Sequence, residues 1–360
     1  MISGAPYILW YEETTPESAA SVGGKFGSLA EMANSGFGVP AAFAVTTDAF
    51  AAFIDAAGLA GAARETHTID PDDLEAIEEA SQRMTAAIEH GPMPAPVATA
   101  ITDAYLRLGR LAGADDVPVA VRSSGVAEDL AGASFAGQYE TYLWVHGIER
   151  VLEHVRRCWA GAFSPAVLTY RPAGGVAGGS ATGMAVVVQR MVEARAAGVA
   201  FTLDPVTGDR SKIVIEATWG LGEGVVGGEI TPDRFRVDKV TLEILERVIA
   251  LKEREYRLDA ASGVGLHPVE LHLRAVQSLD DEQIEQLAAL AKRIERHRGA
   301  PQDIEWAVDQ GGNLHVLQVR PETVWSTRRR EAAAPSGDAM ELVMGAFMRA
   351  AGPGPAGRDT

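Results

Sequence analysis

A chain of 360 residues with 47% apolar side chains can bury one large or two medium cores, which excludes a disordered polymer. Its 49 Asp and Glu against 32 Lys and Arg give a net charge of −17, which disfavours nucleic acid and anionic membrane surfaces as partners. An anionic ligand would need local basic residues and backbone N–H groups. The amino-terminal MISGAPYILWYEETTPE has neither a basic region nor an apolar core of signal-peptide length, and no run elsewhere approaches transmembrane length, so a cytoplasmic protein is expected.

In chain order, residues 6–10 (PYILW) read as a short strand, and 22–27 (VGGKFG) as a glycine-punctuated turn feeding a helix over 28–34. A second helix is predicted over 71–89, with Asp70 as its cap and acidic residues in its first turn. Pro92, Pro94 and Pro96 close that segment, and a helix over 97–111 leads into a buried strand, PVAVR, at 118–122. A further helix spans 149–163. The only cysteine, Cys158, sits there at helical spacing with Val151, Leu152, Val155 and Trp159. That setting favours packing over a nucleophile, and a single cysteine allows no intrachain disulfide.

The Gly/Ala/Ser-rich stretch 173–183 reads as a hinge, dividing a first lobe, 1–183, from a second, 184–325. Strand-like runs follow at 185–189, 198–202, 212–217, 234–238, 302–308 and 314–319, with one strong helix, 281–297, stopped by Gly299. Residues 326–360 read as a linker and tail. Met340, Leu342, Val343, Phe347 and Met348 form an apolar stripe that either packs back on the chain or docks on a partner.

Phosphates are held by backbone N–H groups in glycine-rich turns, by helix N-termini and by nearby Lys or Arg. Lys25, inside GGKFGS, fits that pattern, though the spacing is not that of a Walker A loop and, taken alone, the turn favours a plain turn lysine. Arg122 ends a buried strand and precedes a small-residue loop, Ser134, Phe135, Ala136, Gly137 and Gln138, suited to covering a polyphosphate; an ordinary solvated charge is the alternative. Two consecutive strands joined by the turn 309–313 would set Glu305 beside Gln318, with Arg320 on the face of Gln318. An oxygen pair beside a cation suits Mg²⁺ bridging two phosphates, and a cross-strand Glu–Arg pair on a solvated sheet is the competing reading. Asp204, before a proline, suits a turn more than a role supporting a metal or anchoring a loop.

Together GGKFGSLAEM, VRSS…EDL…SFAGQYETYL, GVAFTLDP, EATWGLGEGVVGGEITPDRF and DIEWAVD…LQVRPET resemble the amino-terminal nucleotide-binding domain of phosphoenolpyruvate synthase, shared with pyruvate phosphate dikinase and rifampicin phosphotransferase. The resemblance covers about residues 8–325. It implies an α+β, ATP-grasp-like fold whose two lobes, with mixed, largely antiparallel sheets, clamp ATP. It also implies that Lys25, Arg122 and Arg320 act on the phosphates, that residues 134–138 cover them, and that Glu305 and Gln318 ligate Mg²⁺. By the same resemblance Gln189, Met191 and Val192 form the hinge that meets adenine, and Glu216 and the glycine-rich 220–224 touch ribose or close the cleft.

In that family ATP phosphorylates a histidine on a separate swivelling domain, giving AMP and phosphate. The eight histidines here all lie outside the glycine-rich setting of such a carrier. The expected partner is therefore a larger subunit bearing the phosphohistidine and the acceptor site. The chain resembles the small subunit of phenylphosphate synthase and related cresol-phosphorylating synthases, which implies a phenol-type acceptor. A self-contained ADP-forming ATP-grasp kinase or ligase and a non-catalytic nucleotide-sensing subunit are the rival readings.

Overall fold

The computed structural model describes residues 6–125, 141–169, 183–259, 263–323 and Trp325. The chain divides into Met1–Thr323 and Val324–Thr360, and every element below belongs to the first part. The tail at 326–360, the covering loop at 134–138 and most of the stretch 173–183 lie outside the described residues.

The architecture is α+β, built on two antiparallel sheets, as expected from the sequence. The first part of the chain runs β1 (Ile8–Trp10), α1 (Ala19–Asn34), β2 (Ala42–Val45), α2 (Thr47–Ala56), α3 (Ala60–Thr66), α4 (Leu74–His90) and α5 (Ala95–Ala112). It continues through β3 (Val119–Gly125), β4 (Thr141–Val145), α6 (Ile148–Ala160), α7 (Pro165–Thr169) and β5 (Met184–Arg190). These strands form a five-stranded sheet of order β1-β2-β5-β3-β4. β5 reads as an unbroken apolar run because both its faces are covered. Val186 and Val188 join Phe43, Val45, Val119 and Val121 beneath α2 and α4–α6, where Phe53, Ile88, Leu108 and Trp159 close the core. Val187 points the other way and, with Ala42 and Ala44, packs on Val22, Phe26 and Leu29 of α1. Each such fully buried side chain contributes about 1.5–3 kcal/mol.

The second part runs β6 (Ala194–Phe201), β7 (Lys212–Trp219), α8 (Glu223–Val226), β8 (Asp233–Asp238), β9 (Ile244–Val248), β10 (Arg254–Asp259), β11 (Gly263–Pro268), α9 (Asp281–Arg298), β12 (Gln302–Asp309) and β13 (Leu314–Pro321). Six of its strands form a sheet of order β13-β12-β6-β7-β8-β9, and β10 and β11 pair as a separate hairpin. One face of the larger sheet is covered by α9, whose Ile284, Leu287, Ala288, Ala291 and Ile294 recur at helical spacing and meet Ile213, Ile215, Ile304 and Trp306. Asp280 and Gln283 cap α9 reciprocally, and Gly299 ends it in the left-handed conformation (φ 71°). The opposite face is left to form a wall of the site.

Three sequence expectations need correction. The strand at 184–190 does not open the second lobe: it pairs antiparallel with both β2 and β3, at the centre of the first sheet. The chain changes sheet at residues 191–193, and this moves the lobe boundary from 183/184 to just past Arg190. The cap of α4 is Asp73, whose carboxylate accepts from the Ala76 N–H at 3.1 Å; Asp70 instead accepts from the Asp72 N–H one turn earlier. The turn expected at 22–27 reduces to a single break at Gly23 (φ 72°, ψ 169°) within α1. A Cβ there would lie 2.1 Å from the Ser124 carbonyl oxygen, so only glycine lets α1 approach β3 this closely. Cys158 is buried, and Asp204 accepts from the Val206 and Thr207 N–H groups as a turn residue. Among the described residues no helix is long and apolar enough to cross a membrane.

Candidate functional site

A cleft of about 740 Å³ opens where the two sheets meet. The first sheet lends it Arg122 from β3, Tyr142 from β4, and Gln189 and Arg190 from β5, and α1 lends it Lys25. The crossover contributes Met191 and Val192, and the second sheet Glu305, Gln318 and Arg320, while Glu223 at the start of α8 closes one side. Val192, Ala197 and Ala307, with Ala194 and Leu317, make one apolar patch in its floor. Gly198 keeps that floor low: a Cβ there would sit 1.9 Å from the Glu216 carbonyl oxygen on β7.

Arg122 links the two sheets. Its Nη2 donates to Gln318 Oε1 at 2.8 Å and to Glu305 Oε2 at 3.1 Å, and its Nη1 to the Leu317 carbonyl at 3.2 Å. The expected adjacency of Glu305 and Gln318 is present, because the two residues are direct partners in the β12–β13 register, just before a bulge at Trp306. Lys25 is buried, with Nζ donating to the Ser123 carbonyl at 2.9 Å. Arg320 lies across from Asp303, Nε to Oδ2 at 3.6 Å. Burial pushes the Asp303 carboxyl up to about 6, with the Arg320 charge opposing the shift and Glu322 adding to it. Burial also raises Glu223, reinforced by the Glu305 charge and opposed by Arg122.

Several buried polar atoms at this junction have no protein partner: Arg122 Nε, Arg190 Nε and Asp303 Oδ1. Atoms of this kind fit a ligand rich in oxygen acceptors and bound water. Two protein oxygens, both within 3.1 Å of one guanidinium nitrogen, form a cation position. Such a pair fits Mg²⁺, which takes one or two side-chain oxygens and fills its other positions with water and phosphate oxygens. Among the described residues no group of three or more His, Cys, Asp or Glu could hold a metal, so any cation here would rest on this mixed pair.

The sequence-predicted residues converge unevenly. Lys25, Arg122, Gln189, Met191, Val192, Glu305, Gln318 and Arg320 all line the cleft. Glu216 does not. It shares a cross-strand row with Glu305 through Val199, but two strands away, about 10 Å along the sheet. It faces Arg234 on β8. At the hinge, the Met191 N–H is taken up by the Pro118 carbonyl at 2.9 Å. Ser134, Phe135, Ala136, Gly137 and Gln138 lie outside the described residues. Glu223, within the 220–224 stretch expected to touch ribose or close the cleft, does line it, whereas sequence reasoning missed Tyr142 in the wall and Asp303, which pairs with the wall residue Arg320. Asp303 was within reach, since it precedes Glu305 by two positions on one strand face, whereas Tyr142 carries no local signal.

Comparison with known proteins identifies the family. The family described as "Pyruvate phosphate dikinase, AMP/ATP-binding domain" matches residues 19–340. The phosphoenolpyruvate synthase of Aeropyrum pernix is 42% identical over 91% of this chain and 43% of its own length. A probable phosphoenolpyruvate synthase of Methanocaldococcus jannaschii is 40% identical over 92% of this chain and 28% of its own. A rifampicin phosphotransferase from a Streptomyces species is 42% identical over 84% and 34%. The chain thus spans less than half the length of each of these relatives. Among solved structures, D-alanyl-alanine synthetase A of Vibrio cholerae overlaps 62% of the chain and 46% of its own at 14% identity, with a TM-score of 0.26 that carries no argument. By the extent of the family match, the chain belongs to the pyruvate phosphate dikinase AMP/ATP-binding domain family.

Proposed function

We propose that the cleft binds Mg-ATP and passes a phosphoryl group to a histidine on another domain or chain, with ATP, histidine and water giving phosphohistidine, AMP and phosphate. The observation that carries the reading is the Arg122 bridge to Glu305 and Gln318, set in a cleft whose walls also supply Lys25 and Arg320. The Val192–Ala197–Ala307 patch and the crossover receive the base, so the phosphates extend toward the three cations. Lys25, Arg122 and Arg320 offset the charge that spreads over the moving group, and Glu305 and Gln318 present the metal-facing oxygens. Mg²⁺ held there by Glu305 and Gln318 would neutralise part of the phosphate charge. In this reading Arg122 exchanges its bonds to Glu305 and Gln318 for phosphate oxygens. The work of the chain is positioning and neutralisation, with no covalent intermediate on its own residues.

The histidine belongs to a larger partner subunit, in the cytoplasm, and its phosphoryl group goes on to an aryl alcohol of the phenol or cresol type. The family membership supports the ATP side of this relay, and the resemblance to aryl-phosphate synthases supports the far side. The test is the nucleotide product formed with the candidate histidine-bearing partner. AMP and phosphate in equal amounts support the proposal, and ADP without AMP overturns it in favour of a self-contained kinase or ligase. Unchanged turnover after Arg320→Ala would show the site to be misassigned.

A further inference from the structure

β13, which carries Gln318 and Arg320, is an edge strand, so its outward backbone groups have no strand partner. The first lobe takes three of them. The Val316 N–H donates to the Gly38 carbonyl at 2.8 Å, and the Leu317 carbonyl accepts from Arg122 at 3.2 Å. The Val319 carbonyl, between Gln318 and Arg320, accepts from the Ser28 hydroxyl at 2.6 Å. Ser28 stands on α1 three positions beyond Lys25, so about one helical turn separates the lysine from the point where its helix is fastened to the other wall.

The hydroxyl is used in both directions. While it donates its proton to Val319, it accepts from Arg298 Nη2 at 2.6 Å, and the same nitrogen reaches the Ser28 carbonyl at 3.2 Å. Arg298 is the last residue of α9, and its Nη1 pairs with Glu31 Oε2 at 2.7 Å. The His297 Nε2 lies 2.9 Å from Glu31 Oε1. α1 is therefore held at two points one turn apart against both the sheet edge and the end of the helix that backs that sheet. Alanine at position 28 would leave the Val319 carbonyl without a donor and one Arg298 nitrogen without its closest acceptor, whereas threonine keeps both bonds.

We propose that Ser28, held by Arg298, is a positioning residue that fixes the span between Lys25 on one wall and Gln318 and Arg320 on the other, and so sets the length of phosphate chain the cleft favours. The inference rests on the reading of the cleft as an ATP site. A residue that merely stiffened the lobe junction would alter all nucleotides alike. One that sets this span acts on ligands whose phosphates reach both walls.

Calorimetric titration of the full chain with Mg-ATP and with AMP separates these cases. The unaltered chain is expected to bind Mg-ATP more tightly than AMP. Ser28→Ala should weaken Mg-ATP about tenfold, the scale of one buried hydrogen bond, and AMP less than twofold, with Ser28→Thr restoring the original ratio. Arg298→Lys, which loses the forked grip, should shift the ratio in the same direction and decides the matter if Ser28→Ala does not fold. An ATP-to-AMP affinity ratio unchanged in Ser28→Ala, or in Arg298→Lys where that variant decides, overturns the inference alone, as does equal weakening of both nucleotides. No ATP binding by the unaltered chain overturns the reading of the cleft and the inference with it.

Discussion

Two cation–carboxylate pairs in this protein have similar chemistry and opposite settings. Lys252 and Asp233 have no side-chain exposure and meet at 2.5 Å. Asp233 also accepts from the Ala250 N–H and from both the N–H and hydroxyl of Ser278, and Lys252 donates a second bond to the Ala250 carbonyl. Each oxygen of that carboxylate has two donors, and the network ties β8 to the segments before β10 and α9. Arg122 and Glu305, at 3.1 Å, remain 11% and 19% exposed, and the Arg122 Nε next to them has no partner. A closed network has nothing left to offer a ligand and acts on stability alone. The open one keeps unused hydrogen-bonding capacity beside the cleft, as the proposed nucleotide site requires. Asp233 belongs to the ITPDRF stretch, so a motif residue is here a structural pin.

The comparison can be broken most decisively at the closed pair. Asp233→Ala should cost about 3–5 kcal/mol in urea unfolding, because it strands a buried ammonium. A loss below about 1 kcal/mol would erase the distinction between the pairs. At the open pair, Arg122→Ala should lower phosphoryl transfer to the partner histidine by about 10²–10³, or roughly 2.7–4 kcal/mol of barrier, while the unfolding midpoint moves little. A smaller effect is expected at Asp303, whose carboxyl is raised from 3.8 to about 6 in the folded chain. Between those values the folded state holds more protons than the unfolded one, so this group makes stability fall as pH rises from about 4 to 6 and leaves it lower above. Asp303→Asn should remove that slope and raise stability at pH 7 by on the order of 2–3 kcal/mol, read from urea unfolding across the pH range. An unchanged slope would mean that burial does not raise the Asp303 carboxyl in the folded chain.

The parts of this architecture that could be read in advance are those specified locally. α9 begins at a capping pair and ends at Gly299, and both signals lie within a few residues of its apolar stripe. Glu305 and Gln318 could be paired because a short glycine-containing turn sets the register of β12 and β13. The cap of α4 was harder, since Asp70, Asp72 and Asp73 all precede it. The choice falls to Asp73, three residues before the N–H it must satisfy and four before Ile77, the first buried side chain. Sheet membership of β5 is not a local property: a strand buried on both faces has the same composition at the centre of either sheet. β2 and β4 escaped notice because one has four residues and the other is mostly half-exposed. The contact of Arg122 with Glu305 joins positions 183 residues apart, and nothing near either residue announces the other.

The lobe junction also bears on how the protein behaves at high concentration. The far edge of the larger sheet, β9, carries the charged Glu246 and Arg247, which discourage pairing with another chain. β13, with Val316, Leu317 and Val319, has no such charges in that run and relies on the first lobe as its cover. A substitution that peels α1 away from β13 would therefore bare a strand edge able to template self-association. Such a change would be noticed first as lost solubility.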